Sequence, residues 1–169
     1  MSPRPTGRLE DREFGEAVVL ERSFRAPVDD VWAAVTEPAR LQRWIGTWTG
    51  DPTSGEVVFR MTAEGEDAGP EPVTIHECSP PHRLRATVRT DGDDAEWHWD
   101  LSLAQTGDVT TLTFAQSTAG GVPVDSVGPG WEYYLDRLAA DMSDQDVAAV
   151  DWDRHYYPAM QQYYRDLRR

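Results

Sequence analysis

Between Glu56 and Gln116, apolar residues return at every second position in five short runs, and only one long helical stripe follows them. That imbalance limits the fold more than any other feature. A period of two places alternate side chains on opposite faces of a strand. Val57, Phe59 and Met61 share one side of 56–62, and Val73 and Ile75 share one side of 73–78. Leu84, Ala86 and Val88 share one side of 83–89, opposite Arg83, Arg85 and Arg89. In 96–103, Trp97, Trp99, Leu101 and Leu103 lie opposite Glu96, His98, Asp100 and Ser102, so His98 points to a wet outer face. "VTTLTFAQ" (109–116) is the fifth run. Turn residues separate the runs: "DPTSG" at 51–55, "SPPH" at 79–82, the Asp-Gly hairpin signal in "TDGDD" at 90–94 and "TGD" at 106–108, with a loop at 65–72.

A sixth run, 17–24, sets Val18, Leu20, Arg22 and Phe24 on one side. Residues 27–46 then switch to helical spacing, with Val28, Val31, Trp32 and Val35 on a first short helix. Pro38 suits the first turn of a second helix, which carries Leu41, Trp44 and Ile45 and ends at Gly46. After "AGGVP" (119–123) and "GPG" (128–130), Trp131, Tyr134, Leu135, Leu138 and Met142 form the single long stripe, with Asp136 and Arg137 off it. A sheet with one apolar face needs a cover, and this helix is the one long cover on offer. The reading is α+β: six to seven antiparallel strands curled around one long helix, with the space between either packed or a cavity.

Three segments are expected: a loose tail at 1–15, the sheet-and-helix domain at 16–146 and a helical extension at 147–169. The extension repeats Trp152, Tyr156, Ala159, Tyr163 and Leu167 at helical spacing, and Pro158 kinks or divides it.

The chain has 169 residues, enough for one domain with a real core, and seven tryptophans argue against disorder. Its 16 basic residues, all arginine, face 30 acidic ones for a net charge of -14. Such a surface repels phosphate backbones and anionic bilayers, so neither nucleic acid nor membrane insertion is expected. The lone Cys78 excludes an internal disulfide. The polar N-terminal stretch is no signal peptide, and a cytoplasmic location is expected.

Chemistry-bearing clusters are sparse. His76, Cys78 and His82 offer H-x-C-x3-H, with His76 and Cys78 on one strand face, but a zinc site wants a fourth ligand and none is evident. No metal or cofactor is expected. Arg22, among apolar residues, needs a carboxylate: either an internal acid such as Glu132 or an acidic group on a ligand. No Ser-His-Asp or Cys-His arrangement stands out, so catalytic residues stay unassigned. Any catalysis would first involve Arg22, Tyr134 and an acid on the long helix. The tryptophans facing inward are either core or pocket wall. The candidate lining of a cavity is Arg22, Trp48, Phe59, Met61, Ile75, Trp97, Trp99, Phe114, Trp131, Tyr134, Leu135 and Leu138.

The stretch "VVLERSFRAPVDDVWAAVTEPARLQRWIG" resembles the opening of the START-like (SRPBCC) superfamily, in the branch related to the C-terminal domain of the activator of heat-shock protein 90 ATPase. The shared landmarks are Arg22, Ala26-Pro27, Val31-Trp32, Trp44, "SPPHRL" (79–84), "TTLTF" (110–114) and "GWEYYLDRL" (130–138). The resemblance spans roughly 17–142. It departs where the family's Gly-Gly before the second strand group is Ser54-Gly55. It implies a helix-grip fold with a cavity between sheet and helix, and members that bind apolar molecules there. The expected function is binding of a small apolar or aromatic ligand. Two alternatives stand: a cyclase- or hydrolase-type enzyme using the same cavity, or a chaperone-linked or self-associating interaction module. The chaperone-binding N-terminal domain of the eukaryotic activator has no counterpart here, which weighs against the chaperone reading. The segment 143–169 lies outside the resemblance and offers a cap for the cavity or a homodimer contact.

Overall fold

In the computed structural model, which describes residues 2–63, 69–89 and 96–168, the strands pair antiparallel in one eight-stranded sheet. The strands are β1 (Arg8–Arg12), β2 (Gly15–Phe24), β3 (Thr47–Thr49), β4 (Glu56–Arg60), β5 (Glu71–Ser79), β6 (Arg83–Arg89), β7 (Glu96–Thr106) and β8 (Val109–Ser117). Their order across the sheet is β1-β2-β8-β7-β6-β5-β4-β3. Helices α1 (Val28–Thr36) and α2 (Pro38–Leu41) join β2 to β3, and α3 (Val124–Met142) crosses the concave face. Two short helices, α4 (Trp152–His155) and α5 (Gln161–Asp166), end the chain. The "TDGDD" turn at 90–94 and much of the 65–72 loop lie outside the described residues.

The strand alternation read from the sequence places the core. Val18, Leu20, Val88, Leu103, Leu112 and Phe114 are buried against Leu135 and Leu138 of α3. Pro38 sits at the start of α2, where its missing N–H costs nothing. The Trp44 indole donates to the Ala34 carbonyl at 2.9 Å and Trp48 donates to Thr36 at 2.7 Å, which ties α1 to the chain entering β3.

Four expectations need correction. First, the loose tail expected at 1–15 is an edge strand over Arg8–Arg12, paired to β2. "RLEDR" has one apolar residue, Leu9, and its charges suit an exposed sheet edge. With the three-residue β3, this raises the strand count to eight. Second, α3 begins at Val124 and runs through Pro129. Proline lacks the N–H for the helical ladder. Packing compensates: Gly128 lets the Tyr164 ring lie against the helix backbone, and Tyr164 is fully buried. Third, the extension caps neither cavity described below. Its Tyr156, Met160 and Tyr164 are buried in the same core as α3, so its apolar face is used within the chain. Fourth, the outer sheet face is not uniformly wet. Asp100 is buried there, 2.9 Å from Arg83, and the Thr87 hydroxyl sits between His98 Nδ1 at 2.8 Å and His76 Nε2 at 2.7 Å.

Candidate functional site

Two cavities lie between the sheet and α3. The first, of about 380 Å³, is walled by Val57, Phe59, Ile75, Leu101, Phe114 and Leu135, with Trp32, Trp44 and Trp48 at the α1–α2 side. Its polar side chains are Thr36, Glu37 and Cys78, of which Glu37 and Cys78 are exposed at the rim. Five tryptophans border this cavity, and the indole N–H groups of four of them donate to protein oxygens. Trp44 and Trp48 use backbone carbonyls, while Trp99 and Trp131 use Gln116. The first cavity therefore offers a guest mainly carbon.

Cys78 faces this cavity because of a β-bulge. The β5–β6 register pairs Ile75 with Ala86 but Glu77 with Arg85, so His76 is the extra residue. After the bulge the alternation inverts. Cys78 then sits opposite Leu84 on the cavity side, while His76 bonds Thr87 on the other side. The expected sharing of one face by His76 and Cys78 is thereby corrected, and His82 instead bonds the Leu103 carbonyl at 3.1 Å. Among the described residues no group of three or more His, Cys, Asp or Glu is placed to hold a metal ion.

The second cavity, of about 460 Å³, lies toward the opposite strand ends, where β5 and β7 begin. Met61, Trp97 and Tyr134 line it, together with Glu71, Ser126 and Gly130. Ile45, Trp99 and Trp131 belong to both linings. The two indoles meet edge to face, with centroids 5.2 Å apart at 89°, and Trp131 also packs on Phe114 at 4.1 Å. Such ring pairs contribute about 0.5–1.5 kcal/mol each beyond their burial. Gln116 Oε1 accepts from Trp131 at 2.7 Å and from Trp99 at 3.1 Å. Indole nitrogens only donate, so the amide oxygen must face them. Gln116 is fully buried, and its Nε2 has no hydrogen-bond partner among the described residues.

Two of the twelve candidates stand apart from both cavities. Leu138 is fully buried core. Arg22 is occupied elsewhere, which corrects its reading as a ligand anchor. Its guanidinium meets Glu132 at 2.7 Å and Asp136 at 3.0 Å, and also donates to the Thr6 hydroxyl and the Glu21 carbonyl. Burial pulls the Arg22 pKa down, but the charges of Asp136 and Glu132 outweigh it, and the net direction is up. Glu132, fully buried, also accepts from the Thr6 and Gly7 amides and from the Tyr164 hydroxyl. Burial first, and then the Glu132 charge, drives the Tyr164 pKa above the usual tyrosine range. Burial and the hydrogen bond to Asp136 do the same for Tyr156.

Arg137, placed off the apolar stripe by its spacing, is buried. It donates to the Trp44 carbonyl at 2.9 Å, the Ala63 carbonyl at 3.3 Å and the Tyr133 hydroxyl at 3.2 Å. It thus fixes the segment that carries Ile45 to the cavity wall. The sequence holds no signal for this, because the acceptors are backbone carbonyls distant in the chain.

A curved antiparallel sheet gripping one long helix, with a cavity held between them, defines a helix-grip protein. The chain belongs to the family of activator of Hsp90 ATPase homolog 1-like proteins, whose sequence profile matches residues 25–142. This places it in the START-like superfamily. No curated protein matches the chain. Among solved structures it is similar to CalU16 from Micromonospora echinospora, with a TM-score of 0.71 and 26% identity over 97% of this chain and 96% of that one. It is also similar to DynU16, a protein in the dynemicin biosynthetic locus, with a TM-score of 0.59 and 25% identity over 78% of this chain and 49% of that one. EF2215 from Enterococcus faecalis, a conserved protein of unknown function, shares the fold at a TM-score of 0.66 and 19% identity over 96% of this chain and 89% of that one. No described helix is long and apolar enough to cross a membrane.

Proposed function

We propose that the protein binds a small, flat, mainly aromatic molecule in the first cavity. One observation carries this reading: a cavity of about 380 Å³ walled by rings and aliphatic side chains, in which four of the five bordering indole N–H groups donate to protein oxygens. An apolar guest gains by leaving water for such walls. The net charge of -14 disfavours an anionic guest, so the ligand is neutral or cationic. The likeness to DynU16, a protein in the dynemicin biosynthetic locus, supports a biosynthetic product as the guest. Glu37 and Cys78 sit at the rim of the first cavity and the Thr36 hydroxyl donates to the Trp32 carbonyl, so among the described residues its polar side chains form no acid-base pair around the interior, which favours carriage over turnover.

Cys78, the one thiol in the chain, lines this cavity and reports its occupancy. Dansylamide, a neutral naphthalene probe, is titrated by fluorescence while the Cys78 thiol reacts with a colorimetric disulfide reagent. The expected result is one saturable site, with thiol labelling slowed at least fivefold at saturation. An absence of fluorescence enhancement, or enhancement with unchanged labelling, refutes binding in this cavity.

A further inference from the structure

One donor in the first cavity is unspent. Of the five bordering indoles, those of Trp44, Trp48, Trp99 and Trp131 give their N–H groups to protein oxygens. The Trp32 indole has no acceptor among the described residues, and its nitrogen is not sealed in the core. An indole nitrogen only donates, so this one is satisfied by water or by an acceptor that a guest brings. We infer that Trp32 is the specificity-determining residue of the first cavity, and that it selects a flat aromatic guest carrying a neutral carbonyl oxygen, such as an aryl ketone or a quinone. This inference rests on the binding role proposed above and names the class of ligand.

Three observations carry it. The first is that no other lining side chain competes for the acceptor. The Thr36 hydroxyl donates to the Trp32 carbonyl at 2.7 Å, the Glu37 carboxylate only accepts, and the Cys78 thiol is a weak donor.

The second observation is position. Phe59, Leu112, Phe114 and Leu135 are buried and form the deep wall in carbon. Trp32 is half-buried and shares the open side of the lining with the exposed Glu37 and Cys78. A guest whose rings fill the deep end leaves its polar end beside Trp32. The helix that carries this donor is held at both ends. The Val28 amide donates to Gln105 Oε1 of β7 at 2.9 Å, and the Trp48 indole donates to the Thr36 carbonyl at 2.7 Å. A donor fixed before the guest arrives adds little ordering cost to binding.

The third observation is charge. Glu37 has no cationic partner among the described residues, and the whole chain carries a net charge of -14. Both oppose a carboxylate or phosphate as the acceptor, whereas a carbonyl presents its lone pairs without charge.

Fluorescence titration compares Prodan, a neutral naphthyl ketone, with dimethylaminonaphthalene, which has the same ring system and no acyl group. Trp32→Phe keeps a ring at the mouth and removes the N–H. It should weaken Prodan about fivefold, the worth of one neutral hydrogen bond, and leave dimethylaminonaphthalene within about twofold. In the unaltered protein, the proton–nitrogen correlation signal of the Trp32 indole should move downfield with Prodan and less with dimethylaminonaphthalene, a readout that depends on no variant. Dimethylaminonaphthoic acid, the anionic counterpart, should bind at least about threefold more weakly than Prodan and recover in Glu37→Gln. Unchanged Prodan affinity in Trp32→Phe, or a loss shared equally by both neutral probes, would overturn the inference. So would an indole signal that responds alike to both, or a naphthoic acid that binds as tightly as Prodan. Failure of both neutral probes to bind refutes the first-cavity reading instead, so the two failures are told apart.

Discussion

Gly128 and Gly130 lie two residues apart in one helix, yet substituting alanine for each should move stability in opposite directions. Replacing a helical glycine by alanine gains up to about 1 kcal/mol from reduced backbone entropy in the unfolded chain and from propensity. At Gly130 nothing opposes that gain, since the added Cβ meets open space. For a chain of this length, about 1 kcal/mol corresponds to a rise in Tm of roughly 2–4 °C. At Gly128 the added Cβ falls well inside contact distance of three ring carbons of Tyr164. That ring is fully buried and bonded through its hydroxyl to Glu132, so it has nowhere to move. Overpacking costs about 1–3 kcal/mol. Offset by the propensity gain, the net expectation for Gly128→Ala is a loss of up to about 2 kcal/mol. Urea and thermal denaturation measure both changes. In a Tyr164→Ala background the sign at Gly128 should reverse, because the obstructing ring is gone. If Gly128→Ala raises Tm as Gly130→Ala does, Tyr164 is not seated on α3 and the account of the C-terminal extension fails.

Three further outcomes are expected. Tyr156 and Tyr164 have pKa values raised by burial and by their acidic partners, so the folded state holds the protons that the unfolded state releases near pH 10. Their contribution is complete below about pH 10 and is lost as the pH climbs above it, at about 1.4 kcal/mol per pH unit for each group. Unfolding free energies measured from about pH 9 to pH 11 should therefore slope less steeply in Tyr164→Phe, and an unchanged slope contradicts the assignment. Arg22→Met strands the buried Glu132 carboxylate and should cost about 3–5 kcal/mol in urea unfolding; adding Glu132→Gln should restore part of it, and a purely additive double variant refutes the coupling. Arg137→Lys keeps the charge but loses the planar fork that spans the Trp44 and Ala63 carbonyls, so a loss of about 1.5–3 kcal/mol is expected, and a change below 0.5 kcal/mol (roughly the noise of surface substitutions) argues against its role.

The parts of this fold that were legible in the sequence are those set by local period. Trp97, Trp99 and Leu101 alternate with polar residues, and one face of a sheet cannot hide them without a covering helix, so the grip architecture and the ring-bearing wall follow. What stayed hidden depends on partners distant in the chain. The bulge at His76 inverts the face of Cys78, and no residue type announces it. The start of α3 at Val124 runs against the warning given by Pro129, because Tyr164 packs on Gly128 and favours a helix there. Of the two partners that the sequence leaves open for Arg22, the structure holds the internal acid Glu132 and not a place on the cavity wall, and its second partner Asp136 has no signal in the sequence. The division of the interior by Trp99 and Trp131 turns on Gln116, which shares the inner face of β8 with Phe114 and whose role emerges only when three strands and a helix come together.

The Glu132 carboxylate also says how far the chain can be trimmed. Thr6, Gly7, Arg22 and Tyr164, which supply its protons and its counter-charge, all lie outside the stretch 25–142 that defines the family. A fragment cut to that stretch would keep the acid in the middle of its helix while discarding each of these donors, so the smallest self-sufficient unit of this protein is larger than the region by which its kinship is recognised.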